Sequence, residues 1–97
     1  MAEDADGGLV GPGDVAAQAG QAFRNVATVL HAAGADVTDV AKVNILVVGY
    51  RAELREPIAQ ARREVFGNHL PASTLVGVQA LALPGYLIEV EAVAVVT

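Results

Sequence analysis

Two acids, Glu89 and Glu91, stand in the most apolar stretch of the chain, Leu87–Val96. Two residues apart on an extended backbone, their side chains point to the same side. A carboxylate in such a strand needs either water or a partner. Two readings stay open. In one, this part of the face is solvated, or its acids act against mispairing. In the other, a carboxylate sits in a cleft at a subunit boundary, where it can activate water as a general base. The other chemistry-bearing residues carry less. His31 and His69 are the only histidines, and they fall outside HxxxH or any comparable ligand spacing. His31 suits a helix C-terminus, where a cation meets the dipole, and His69 is read as a second end-of-helix residue. Ser73 and Thr74 are candidate nucleophiles, but no GxSxG elbow surrounds them. The glycines at 7, 8, 11 and 13 match neither GxGxxG nor GxxxxGK[ST] and read as turn residues. Arg51, Arg55, Arg62 and Arg63 are interleaved with Glu53, Glu56 and Glu64, which reads as a solvated surface opposite an apolar helix stripe.

The elements that must position these residues follow from spacing. Residues 1–13 are an irregular lead-in, with Pro12-Gly13 as a turn signal. Asp14 can cap a helix by accepting from free first-turn amides. Apolar residues at Ala19, Phe23, Val26, Leu30 and Ala33 then form one helical face, and Gly34 closes it. Lys42–Val48 is aliphatic without clean alternation, which predicts a strand covered on both faces. A second helix is expected from about Glu56 to Phe66, with Pro57 at its first position and Gly67 as its end. Two strands complete the string, about Ser73–Ala80 and Leu87–Val96. Leu83-Pro84-Gly85 between them predicts a hairpin. The expected class is α+β, a sandwich with both helices on one sheet face. In the last strand, Ile88, Val90, Ala92, Ala94 and Val96 share one face, and Leu87, Glu89, Glu91, Val93 and Val95 the other. Neither is polar enough for water, so one should meet the helices and the other a second subunit.

Composition sets the outer bounds. The 97 residues make one domain, 54% hydrophobic but only 4% aromatic, so the core must be aliphatic. No apolar run reaches a membrane span of roughly 18 residues. Cysteine is absent, which excludes disulfides, cysteine–zinc sites and thiol catalysis. A small disulfide-free chain fits the cytoplasm. A net charge of −5 is the opposite of a nucleic-acid footprint and would slow approach to RNA, DNA or anionic lipid. The acidic start shows no secretory signal.

Three stretches together resemble the reactive-intermediate deaminase (Rid) family, also called YjgF-like or L-PSP endoribonuclease-like. They are GDVAAQAGQAFRNVATVLHAAGADVTDVAKVNILV, FGNHLPASTLVGV and LIEVEAVAV. The combination is specific: a helix ending Ala-Ala-Gly, an Asp-Val-x-Lys strand opening, a Phe-Gly-x-His-x-Pro-Ala loop and a closing strand with Glu-x-Glu-Ala. The resemblance runs from about Asp4 to Val96. It implies a chorismate-mutase-like fold assembled as a homotrimer, with cofactor-free sites in clefts between subunits and no metal. It further implies hydrolysis of reactive 2-imino acids to 2-keto acids and ammonia, with Glu89 handling the water. Ser73, Thr74 and Leu75 would then line the ligand cleft. Two departures qualify this. Ser73 stands where the family carries an arginine that clamps the substrate carboxylate, and a serine cannot supply that cationic fork. The family also opens with two strands, the second bearing a Ser-Gly-Gln-like motif, that would precede this sequence. The expectation is therefore a divergent member that binds a small metabolite between subunits. Imine deamination is the alternative reading, and ribonuclease activity or nucleic-acid binding is the least expected.

Overall fold

A computed structural model describes residues 1–96. The elements are α1 (Val15–Ala32), β1 (Val40–Val48), α2 (Arg55–Phe66), β2 (Ala72–Val78) and β3 (Ile88–Ala94), with short 3-10 turns at Val37–Asp39 and Ala52–Leu54. The α1 helix begins where Asp14 accepts from the Ala17 amide at 3.1 Å. It ends in a Schellman arrangement, with Gly34 at φ +82°. There the Ala35 amide donates to Leu30 at 2.8 Å and the Gly34 amide to His31 at 3.1 Å. The α2 helix begins at Arg55, so Pro57 is its third residue. Proline is still tolerated there, because first-turn amides have no acceptor within the helix.

The sheet order is β2-β1-β3, with β1 parallel to β2 and antiparallel to β3. The expected hairpin does not form. From β1 the chain crosses through α2 to β2 on one edge, then returns through residues 79–87 to the far edge of β1. That interval is too long for the tight loops that join neighbouring antiparallel strands. The Pro84-Gly85 turn therefore sits inside a connection that passes the end of β1, where Val48 donates to Leu87 at 2.8 Å.

Both helices lie on one face of the sheet. Phe23 of α1 meets Phe66 of α2 edge-on, with centroids 6.0 Å apart. Beneath them lie Val43, Ile45, Val47, Ile88 and Val90, all buried, with Ile58 of α2 in the same cluster. The β1 strand alternates from Val43 onward rather than being covered on both faces: Val43, Ile45 and Val47 are buried, while Asn44, Leu46 and Val48 between them stay partly exposed. No helix is long and apolar enough to cross a membrane among the described residues.

The lead-in is more ordered than its composition implies. Asp4 and Gly8 close a turn, Glu3 bridges Leu9, and Ala2 is buried. Asn25 of α1 donates to the Met1 and Glu3 carbonyls at 3.0 and 2.8 Å. Gln18, fully buried, is the hub. Its amide donates to Gly11 at 3.2 Å and to Gly85 at 3.0 Å, and its oxygen accepts from the Leu87 amide at 2.8 Å. One side chain thus ties lead-in, helix and the approach to β3 together.

Candidate functional site

Register across β1 decides which candidate residues share a surface. Thr74, Asn44 and Glu91 form one row on the open face, and Val76, Leu46 and Glu89 the next. Glu89 and Glu91 therefore do share a face, as their spacing requires. Asn44 donates to the Glu91 carboxylate at 2.8 Å, which orients that acid and leaves Glu89, half-buried beside Leu46, without the same tether. Lys42, exposed at the head of β1, lies on this face as well, paired with Ala72 and Val93. The open face is thus a strip of acids, an amide, a hydroxyl and a lysine set among Leu46, Val48, Val76 and Val93. Such a surface can hold a polar small molecule and can activate a water at a carboxylate.

Ser73 and Leu75 are elsewhere. They pair with Val43 and Ile45, whose side chains are buried under the helices, so they face the helix side of the sheet. Of the three residues expected to line one cleft, only Thr74 shares a surface with Glu89. Ser73 and Leu75 instead border a cavity against α2 that Arg55 and Arg62 also line. Sequence reading placed Arg62 with Arg63 on a solvated surface. Arg63 fits that description, bonded to Glu56 at 2.6 Å, as does Arg51 near Glu53 at 3.7 Å. Arg62 is half-buried and turned toward the sheet.

The histidines also part company. His31 stands at the end of α1, 3.5 Å from Asp36, with both side chains largely exposed. The His69 Nε2–H donates to the Val40 carbonyl at 2.7 Å, and its ring stacks obliquely near Phe66 at 6.4 Å. His69 follows the end of α2, where its amide donates to Phe66 at 3.1 Å, and its ring also pins the loop before β2 to the opening of β1, which helps to set the register of Thr74 against Asn44.

Asn44 and Lys42 were not singled out from sequence. The signal was present, because Lys42, Asn44 and Leu46 alternate with the apolar Val43, Ile45 and Val47. The run of aliphatic residues masked it.

Comparison with known proteins agrees with this geometry. The sequence profile of the endoribonuclease L-PSP family matches residues 1–96. A rat 2-iminobutanoate/2-iminopropanoate deaminase is 37% identical over 95 residues, which cover 95% of this chain and 65% of the rat protein. The chain therefore spans just under two thirds of the length of that relative. Among solved structures, the Rid protein YyfB of Yersinia pestis, whose function is unknown, superposes with a TM-score of 0.92 at 40% identity, covering 99% of this chain and 73% of that one. Escherichia coli TdcF with bound serine gives a TM-score of 0.80 at 26% identity, covering 94% and 70%. By profile, sequence and fold, this chain belongs to the endoribonuclease L-PSP family, the Rid/YjgF proteins.

Proposed function

We propose that this protein works as a homo-oligomer, a trimer by family resemblance, that binds a small metabolite without a cofactor in clefts between subunits. The observation that carries this reading is the open sheet face. Leu46, Val76 and Val93 lie there beside Glu89, Glu91, Asn44 and Thr74, all partly or largely exposed among the described residues. An apolar surface seeded with oriented polar groups suits a subunit boundary that encloses a ligand. The serine in TdcF supports a small polar ligand as the occupant.

Imine hydrolysis is the second reading, favoured by the name of the rat relative and by the placement of Glu89. In it, the Glu89 carboxylate takes a proton from water as its oxygen attacks the imine carbon, and passes that proton to the imine nitrogen. The hydroxyl proton of the resulting carbinolamine then moves to the nitrogen as the C–N bond breaks, releasing ammonia and leaving a keto acid.

One experiment separates the two. The protein's mass is measured by light scattering, and decay of a 2-imino acid generated by an amino-acid oxidase is followed with and without it. A trimer that leaves imine decay unchanged, yet gains thermal stability from serine or a keto acid, supports binding alone. Acceleration abolished in Glu89→Gln, with the mass unchanged, replaces that conclusion with imine hydrolysis. A monomer that neither binds nor catalyses overturns both.

A further inference from the structure

The return through residues 79–87 brings the chain to β3, which then pairs with β1 alone among the described residues. Its register on β1 decides which acid meets Asn44. A slip of one residue would turn Glu89 and Glu91 under the helices, where a carboxylate loses water and finds no partner. A slip of two residues is different. It keeps both acids on the open face and only exchanges Ile88, Val90 and Ala92 for one another on the helix side. Asn44 would then face Glu89 or Val93 instead of Glu91. The hydrophobic pattern therefore opposes the first slip far more than the second. The far end of the ladder is irregular, with a bulge between Val40 and Lys42. Selection between registers two residues apart falls to the near end, where β3 begins.

Gln18 holds that end. It is fully buried, and two of its three hydrogen bonds go to the entry of β3 rather than to the lead-in. Its Nε2 donates to the Gly85 carbonyl at 3.0 Å, and its Oε1 accepts from the Leu87 amide at 2.8 Å. The Leu87 carbonyl in turn accepts from Val48 at 2.8 Å. Leu87 is thus fixed by its amide to a helix and by its carbonyl to the central strand, two residues before Glu89. An uncharged side-chain amide suits this task, because it supplies donors and an acceptor together. An ionised Glu has no donor, and a Lys or Arg has no acceptor. A shift of β3 by two residues would carry the Gly85 carbonyl away from Nε2 and break the Asn44–Glu91 bond as well. We propose that Gln18 is a positioning residue: by anchoring Gly85 and Leu87 it selects the register in which Asn44 holds Glu91 and Glu89 stays free to face a ligand or a water. As a functional role, this rests on the open-face reading above.

NMR of the full chain tests the proposal in Gln18→Met, which keeps length and bulk but makes none of the three bonds. In the observed register Ile45–Val90 and Val43–Ala92 are closely spaced pairs, with Cα atoms about 4.5 Å apart, so their α-protons give strong cross-strand contacts. In Gln18→Met those contacts should weaken, and Ile45–Ile88 or Ile45–Ala92 contacts should appear in their place. Serine-dependent thermal stabilisation is followed in the same samples. Serine should bind at least about tenfold more weakly to Gln18→Met, the scale of loss expected when the groups that hold a ligand move by about 1 Å. Ala61→Gly, at a buried position between α1 and α2, weakens the core without touching β3 and should keep both the contacts and the affinity. Gln18→Asn carries the amide on a shorter stem, serves if Gln18→Met does not fold, and should show the same change in weaker form. Unaltered Ile45–Val90 and Val43–Ala92 contacts in both Gln18 variants would overturn the proposal. Equal losses of affinity in Gln18→Met and Ala61→Gly would do so too. A wild-type chain that binds no serine would instead end the open-face reading, and the cross-strand contacts alone would then decide whether Gln18 sets the register.

Discussion

Valine occurs on both sides of the sheet, and the two sides treat it differently. Under the helices Val43 and Val47 are wholly shut from solvent, whereas on the open face Val76 is 40% exposed and Val93 56%. Residue type is the same, so burial is decided by what lies above. The helix-side face is closed by residues of this chain alone, by Phe23, Ile58 and Phe66 packed over β1 and β3. The open face mixes comparable aliphatic residues with Asn44, Glu89 and Glu91, and these stay partly or largely exposed. One face therefore stabilises the fold, and the other is the surface on which the proposed association and ligand binding rest.

The largest expected effect tests the closed face. Phe23→Ala removes a fully buried ring and its edge-on contact with Phe66. Such a truncation costs about 3–5 kcal/mol, a large part of the roughly 5–15 kcal/mol that holds a domain together. Urea unfolding should show a markedly lower midpoint, because the midpoint scales with the stability that remains. The paired measurement is Val93→Ala, which in an isolated protomer should change stability by no more than about 0.5 kcal/mol. A cost several times larger for Val93→Ala, growing with protein concentration, would show that the open face is covered in the assembled protein and would sharpen the contrast into one of partners.

Gln18→Leu ranks next. The substitution keeps bulk but strips all three hydrogen bonds of the buried amide, leaving the Gly11 and Gly85 carbonyls and the Leu87 amide to find other partners. Unsatisfied buried groups cost about 1–3 kcal/mol each, and relaxation of the lead-in should limit the sum to about 2–3 kcal/mol. Hydrogen exchange at Leu87 should accelerate more than at Val43, because the approach to β3 loosens before the sheet centre does. Equal acceleration at both sites would mean that Gln18 supports the whole core rather than this one junction.

On the open face a single hydrogen bond should matter little to folding. Asn44→Ala removes the donor to Glu91, and an exposed pair of this kind contributes less than about 1 kcal/mol. The readout is equilibrium unfolding beside ligand-dependent thermal stabilisation. A small change in the first with a large change in the second is the expected outcome. A reverse pattern would assign the Asn44–Glu91 pair to the fold rather than to the site.

How much of this was legible beforehand depends on range. Asp14 and Gly34 bound α1 through contacts within a few residues, and the same-sided placement of Glu89 and Glu91 needs only the two-residue repeat of a strand. The hairpin misreading came from treating a local turn signal at Leu83-Pro84-Gly85 as evidence of pairing. The position of β1 between β2 and β3 is a property of the whole path, set by the α2 crossover and by the return through residues 79–87. The division of Ser73 and Leu75 from Thr74 and Glu89 has the same origin. Parity within one strand can be read from sequence, but relative parity across a third strand cannot. Arg62 was misplaced for a related reason. A helix face that looks polar and solvated in projection lies partly over the edge strand, where a long side chain can reach inward along apolar surface.

Tyr86 lies at the seam between the two regions, just before β3 and near the lead-in, and it gives the smallest effect. It is 8% exposed, and its phenol is pushed above the ordinary value of 10, first by desolvation and then by the nearby charges of Glu3 and Asp4. A raised folded-state value means that the native chain holds this proton longer than the unfolded chain does. The stability tied to it is fully present below the unfolded value and is lost as pH rises through the folded one. Phenolate absorbance should therefore show a late-titrating component that disappears in Tyr86→Phe, and the alkaline fall in stability should flatten in the same variant. Glu3→Gln should shift that component only slightly downward, because burial is the larger cause. Added salt should do the same, since screening weakens the charge effect and leaves desolvation in place. A large downward shift in Glu3→Gln would instead make the lead-in's charge, rather than its coverage, the dominant influence on this end of β3.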